Sequence, residues 1–190
     1  MPKLLKRSFF ERNTIDVAPE LLGKKILLRQ RNKKEKSGII VEIEAYTHDD
    51  PACHAARGKT PRNEVMFGPG GYSYVYFIYG MYHCLNFVTE KENIPGAVLI
   101  RAIEITEEEL QIGNGPGKLC KYLNITKSHN KLDCCNEDSP LTITNNSHYK
   151  SNNFSIAQTK RIGISKAVNY PWRWYIKESP SVSKVSKKRV

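Results

Sequence analysis

Between residues 37 and 46 the chain alternates. Ile39, Val41, Ile43 and Ala45 fall on one parity, and Ile40, Glu42, Glu44 and Tyr46 on the other. A period of two is the pattern of a strand, so the first set shares one face and both carboxylates with a tyrosine share the other. Residues 25–30 supply a partner strand across the polar loop 31–36. Residues 73–79 and 84–89 read as strands around a turn at Gly80-Met81, residues 97–104 as a further strand, and residues 172–177 as a last one. Helical signals are fewer. Pro19-Glu-Leu-Leu closed by Gly23 reads as a short helix, and Thr106 caps an acidic helix over 107–112. Gly115-Pro-Gly-Lys-Leu-Cys-Lys-Tyr-Leu opens a third helix with an N-terminus suited to a phosphate. Residues 47–71, rich in Gly, Pro, Asp and Arg, read as a long functional loop, and residues 124–155 as loop or weak strand. The pattern predicts an α+β fold. It is a single domain over residues 1–190 with a curved, mainly antiparallel β-sheet flanked by short helices, and residues 179–190 form a basic, mobile tail.

Charge adds a second layer. The 190 residues carry 30 Lys+Arg against 19 Asp+Glu, a net +11. Residues 1–40 hold 11 basic and 4 acidic side chains and residues 151–190 hold 9 and 1, whereas residues 41–110 hold 5 and 11. Basic ends folded around this acidic, tyrosine-rich middle would place a positive rim about a carboxylate-bearing cleft, which attracts a polyanion. Charge that serves solubility alone is the competing reading. No apolar run approaches the roughly 20 residues of a membrane span, and the basic start MPKLLKRSFFERN reads as mature protein. Five cysteines with no C-x-x-C spacing suit reduced thiols in a cytoplasmic protein, and Cys53-His54 and His83-Cys84 lack the paired spacing of a zinc site.

Three constellations carry candidate chemistry. The first is Glu42–Glu44–Tyr46 with Arg101, which interrupts an otherwise apolar strand. A carboxylate and a guanidinium in one cleft can hold and deprotonate a water; alternatively, the polar strand face simply meets solvent. The second is the run Tyr72-Ser-Tyr-Val-Tyr-Phe-Ile-Tyr-Gly-Met-Tyr, which holds half of the ten tyrosines. Such rings build a β-rich core, stack on bases, or, at a turn tip, wedge between base pairs. The third is the basic loop Arg57-Gly-Lys-Thr-Pro-Arg-Asn, whose Arg57 and Arg62 suit phosphate contacts or solvent.

The runs Ile40-Val-Glu-Ile-Glu-Ala-Tyr, Asp50-Pro-Ala-Cys-His, Thr60-Pro-Arg-Asn, Met66-Phe-Gly-Pro-Gly and Tyr74-Val-Tyr-Phe-Ile-Tyr-Gly-Met-Tyr occur in this order. Ala97-Val-Leu-Ile-Arg-Ala, Gly115-Pro-Gly-Lys-Leu-Cys and Arg161-Ile-Gly-Ile follow. Together they resemble the alkyladenine (methylpurine, 3-methyladenine) DNA glycosylase family over roughly residues 8 to 180. The resemblance implies that Glu44 activates the hydrolytic water and Arg101 helps position it. It implies a base pocket of Tyr46, His54, Tyr76, Asn86, Leu99 and Ile162, with Asn86 crowding the exocyclic amine of guanine and the Ile162 backbone facing the water. Tyr79, with Met81 beside it, fills the hole left in the duplex. Tyr74 and Lys118 join Arg57 and Arg62 as contacts to the DNA backbone.

By the same resemblance the expected partner is double-stranded DNA containing a damaged purine, bound by a monomer in the bacterial cytoplasm. Direct hydrolysis leaves an abasic site, with no metal, no cofactor and no lysine Schiff base. A noncatalytic nucleic-acid-binding domain shares the rim and the tyrosines but has no need of Glu44 and Arg101. A metal-dependent nuclease would draw on Glu42, Glu44 and Asp49 or Asp50.

Overall fold

Strand β2 (Lys36–Tyr46) is the spine of the structure. The computed structural model describes residues 3–31, 34–106, 109, 111–146 and 154–183. Along one edge β2 pairs antiparallel with β5 (Gly96–Glu104), and along the other with β1 (Lys25–Leu28) over its first half and β8 (Arg173–Ile176) over its second. β3 (Ser73–Ile78) and β4 (Tyr82–Thr89) extend the sheet beyond β5. β6 (Leu141–Thr144) extends it beyond β1, and β7 (Ile156–Thr159) closes on β8. The result is one curled, all-antiparallel eight-stranded sheet, and the expected α+β class holds. The alternating β2 pattern resolves into two buried faces: Ile40, Val41, Glu42, Ile43 and Glu44 are all fully enclosed.

Short helices cover this sheet. α1 (Arg7–Phe10) and α2 (Thr14–Glu20) pack Phe10, Val17 and Ala18 into the main core, where they meet Ile40, Phe87 and Ile100. The helix expected from Pro19 onward instead ends there. Asn13 caps α2 by accepting from the Ile15 amide at 2.9 Å, and Glu90 takes the Thr14 amide at 2.6 Å. Proline is thus tolerated in the last turn of a helix whose start is fixed by these two acceptors. α3 (Pro116–Leu123) begins at Gly115, with proline in its first turn as expected. Its Gly117 lies so close to Tyr82 that a Cβ would come within 2.7 Å of the ring, which fixes α3 against the β3–β4 hairpin.

The weak strand expected within residues 124–155 is present, one strand was not expected, and the expected tail is corrected. Residues 124–155 contain a true strand, β6, zipped to β1 from Lys25↔Thr144 to Leu28↔Leu141. β7 had no alternating apolar signal of its own, and its pairing with β8 supplies what its side chains do not. The tail expected over 179–190 starts as packed chain, with Ser179, Ser181 and Ser183 buried. Residues 184–190 lie outside the described residues, as do residues 107, 108 and 110 of the acidic helix expected over 107–112. No described helix is long and apolar enough to cross a membrane.

Candidate active site

Directly opposed residues of an antiparallel sheet share a face. Tyr74 opposes Asn86, Asn86 opposes Leu99, Leu99 opposes Glu44, and Glu44 opposes Arg173. One row across β3, β4, β5, β2 and β8 therefore brings together residues from four distant stretches of sequence. Tyr74, Asn86, Leu99 and Glu44 from this row line a cavity of about 880 Å³, within the usual size range of a small-ligand pocket. Tyr46, His54, Tyr76, Arg101 and Ile162 line the same cavity, so every expected pocket and catalytic residue converges there.

A bulge explains how Arg101 joins them. The β2–β5 register passes from Ile43↔Ile100 to Glu42↔Ala102, leaving Arg101 without an opposite residue. Bulges of this kind re-aim side chains. Arg101 places its Nε 2.9 Å from Glu42 Oε1 and its Nη1 3.2 Å from Glu44 Oε1. Burial works against the Arg101 charge, but Glu44 and then Glu42 outweigh it and raise its pKa.

Glu44 is fully buried and held by two hydrogen-bond donors and one ion pair. The Ile162 amide donates to Oε1 at 2.7 Å, Arg101 flanks the same oxygen, and the Tyr46 hydroxyl donates to Oε2 at 2.8 Å. Burial and then the Glu44 charge drive the Tyr46 phenol far above its ordinary pKa, so it stays a donor. Ile162 is presented by a second ion pair. Arg161 donates to Asp50 through both terminal nitrogens and to the Ala45 carbonyl at 2.8 Å, with both side chains buried. Its guanidinium lies 4.6 Å from the Tyr46 ring centroid and 5.3 Å from that of Trp172.

Aromatic groups form one wall. His54 and Tyr76 meet edge to face at 4.6 Å, and His54 Nδ1 lies 2.8 Å from the Tyr74 hydroxyl. His54 is exposed at the cavity, with protein covering only part of its ring. That burial, and then Arg62, lower its pKa to about 4, so the ring is neutral at ordinary pH. Burial pushes the Tyr74 hydroxyl up to about 12 and raises Tyr76 as well. Loop 47–71 is held in shape by Asn63, which donates to the carbonyls of His54 and Gly58 and accepts from Thr60. Within it Glu64–Phe67 form a 3-10 turn.

At the rim the β3–β4 turn carries Tyr79, 79% exposed, and Met81, 64% exposed. Tyr79 and Gly80 both have positive φ, 54° and 66°, a tight hairpin turn in which glycine relieves the strain at the second position. Arg57, Arg62 and Lys118 are exposed. Tyr74 corrects the expectation that it contacts a phosphate backbone. It is 2% exposed, and its hydroxyl orients His54 inside the pocket. Arg173, Ser183 and the Asp50–Arg161 pair were not anticipated as parts of the site. Only the presence of Asp50 and Arg161 within quoted motifs gave any signal. Glu42, Glu44 and Asp50 each pair with a guanidinium, and no group of three His, Cys, Asp or Glu gathers as metal ligands among the described residues.

The sequence profile described as Methylpurine-DNA glycosylase (MPG) matches residues 8–180. The chain belongs to this family of DNA glycosylases. It is 49% identical over 177 residues to a protein of Rickettsia felis, covering 91% of this chain and 93% of that one. It is 53% identical over 177 residues to one from the Wolbachia of Brugia malayi, covering 92% and 98%, and 50% identical over 184 residues to one of Ehrlichia chaffeensis, covering 91% and 93%. All three bear the name "Putative 3-methyladenine DNA glycosylase".

Proposed function

We propose that this DNA glycosylase is monofunctional. It turns alkylated or deaminated purines out of duplex DNA and hydrolyses their N-glycosidic bond, leaving an abasic site. The observation that carries the reading is the Glu44 carboxylate, enclosed at a base-sized cavity and held by Ile162, Arg101 and Tyr46. A carboxylate offers about four acceptor directions; the Ile162 amide and the Tyr46 hydroxyl take two and the Arg101 ion pair flanks one oxygen, which leaves room for a water. Glu44 takes the proton of that water as its oxygen attacks C1′ of the sugar, and the bond to the purine breaks with oxocarbenium character.

The remaining parts serve extrusion and recognition. A base within a duplex exposes no reachable glycosidic bond, so its nucleotide leaves the stack at a cost of a few kcal/mol. Tyr79, projecting from a rigid hairpin tip with Met81 beside it, fills the gap. The purine stacks among Tyr46, Tyr76 and His54, with Asn86 and Leu99 beneath it. Phenol faces favour purines made cationic by alkylation, since a desolvated cation gains most from a π-face. Arg57, Arg62 and Lys118 meet phosphates along the rim. The enzyme acts as a monomer on cytoplasmic DNA, and no step uses a metal or cofactor.

The test is a duplex carrying one 7-methylguanine, 3-methyladenine or hypoxanthine. Free base and an alkali-labile gap are expected, in chelator as well as without it, with no adduct trapped by borohydride. Binding without release would favour the noncatalytic reading, and strand scission abolished by chelator would favour the nuclease.

A further inference from the structure

Glu42 does not face the cavity, yet it is the most heavily bonded side chain near it. Arg101 Nε donates to its Oε1 at 2.9 Å and Arg173 Nε to the same oxygen at 2.7 Å. The Ser183 amide donates to Oε2 at 2.7 Å, and the Ser183 hydroxyl donates to Oε1 at 2.8 Å. That hydroxyl also accepts from Arg101 Nη2 at 3.5 Å. Two carboxylates, Glu42 and Glu44, thus balance two guanidiniums, Arg101 and Arg173, in an enclosed layer. Ser183, 8% exposed, joins Glu42 to Arg101. The segment reaching Ser183 is itself fastened, since the Ser179 hydroxyl donates to Glu104 Oε2 at 2.6 Å and accepts from the Ser181 amide at 3.3 Å.

We propose that Ser183 is a positioning residue of the active site: through Glu42 it braces the Arg101 guanidinium, which in turn holds Glu44 for catalysis. The inference rests on the hydrolytic reading above for its catalytic half and on the hydrogen-bond geometry alone for the brace. Arg101 has one terminal nitrogen on Glu44 and its Nε on Glu42. A guanidinium is planar and rigid, so fixing Nε and Nη2 sets where Nη1 lies. Without the Ser183 hydroxyl, Glu42 keeps both guanidiniums but loses one donor, and Arg101 gains freedom to tilt away from Glu44. Catalytic groups misplaced by about 1 Å can lose on the order of 100-fold in rate.

The experiment compares Ser183→Ala and Ser183→Thr with the wild-type full-length chain. For Ser183→Ala the single-turnover rate of base release should fall about 10- to 100-fold, while lesion-DNA affinity and thermal midpoint stay near wild type. Ser183→Thr, which keeps the hydroxyl, should recover most of the rate. Hydrogen exchange at Arg101 Nε, followed by NMR, should be faster in Ser183→Ala and slow again in Ser183→Thr. A Ser183→Ala rate within two-fold of wild type, or a fall matched by lost affinity or a lost thermal midpoint, would overturn the proposal. Unchanged Arg101 exchange would overturn it as well. If wild type releases no base at all, the hydrolytic reading fails on its own, and the Arg101 exchange still decides whether the brace exists.

Discussion

The Ile162 amide donates to Glu44 Oε1 at 2.7 Å, joining residues 118 apart in sequence. A backbone donor cannot be deleted by changing its own side chain. It depends on the neighbour that holds the segment after β7 in place, and that neighbour is Arg161 in its buried pair with Asp50. Asp50→Asn should therefore lower both stability and activity. Leaving a buried guanidinium without its charge partner costs about 3–5 kcal/mol, which a urea titration would register as a lower midpoint. Base release should also slow under conditions where the variant is still folded. A variant as stable and as fast as wild type would contradict the role given to the pair.

Glu44→Gln preserves the shape of the side chain and its acceptor for the Ile162 amide, but removes the base. Lesion binding should survive, and release should fall by about 100- to 10,000-fold, the usual scale of general-base loss. Gel-shift and single-turnover assays on the same duplex separate the two. Release at the wild-type rate would remove Glu44 from the mechanism.

Tyr79→Ser tests the wedge. The side chain projects from a turn, so the thermal midpoint should shift little, within about 0.5 kcal/mol of stability. Release of hypoxanthine from a paired site should drop several-fold, whereas release from an unpaired or single-stranded site should hardly change. Equal losses on both substrates would place Tyr79 elsewhere in the reaction.

The His54 ring should titrate near 4 rather than at its ordinary 6.5, because burial and then Arg62 oppose its protonation. The folded value lies below the unfolded one, so between these two pH values the unfolded chain binds more protons. The contribution of a neutral His54 is whole above about 6.5 and is lost as pH falls toward 4. The loss is smaller than full linkage would give, since the ring opens to cavity water. NMR titration of the imidazole checks the midpoint, and a value near 6.5 would show that the pocket does not enclose it.

The sequence carried six of the eight strands and the carboxylate face of β2, because alternation is a local property that survives folding. It also carried Glu44, Arg101 and the six expected pocket residues that meet at the cavity, through motifs whose order matches a family, but not other lining residues such as His48, Ser165 and Lys166. What it did not carry is long-range. The helix at Thr14 depends on Glu90, a residue 76 positions away that takes its first amide. The bulge at Arg101 depends on how β2 and β5 slide past each other. Tyr74 was expected to contact the DNA backbone, yet it is buried opposite Asn86 with its hydroxyl on His54. Arg173 and Ser183 sit in unremarkable polar stretches, and only the three-dimensional path of the chain brings them to Glu42.

The hold of Ser183 on Glu42 bears on when the enzyme becomes competent during its synthesis. The sheet can begin to form on the ribosome as soon as β5 follows β2 out of the exit channel, and the residues of the aromatic wall emerge well before residue 183. The charge layer behind Glu44 stays incomplete until residue 183 has emerged. A nascent chain from which residue 183 has not yet emerged therefore lacks two of the four donors to Glu42 and keeps only those of Arg101 and Arg173.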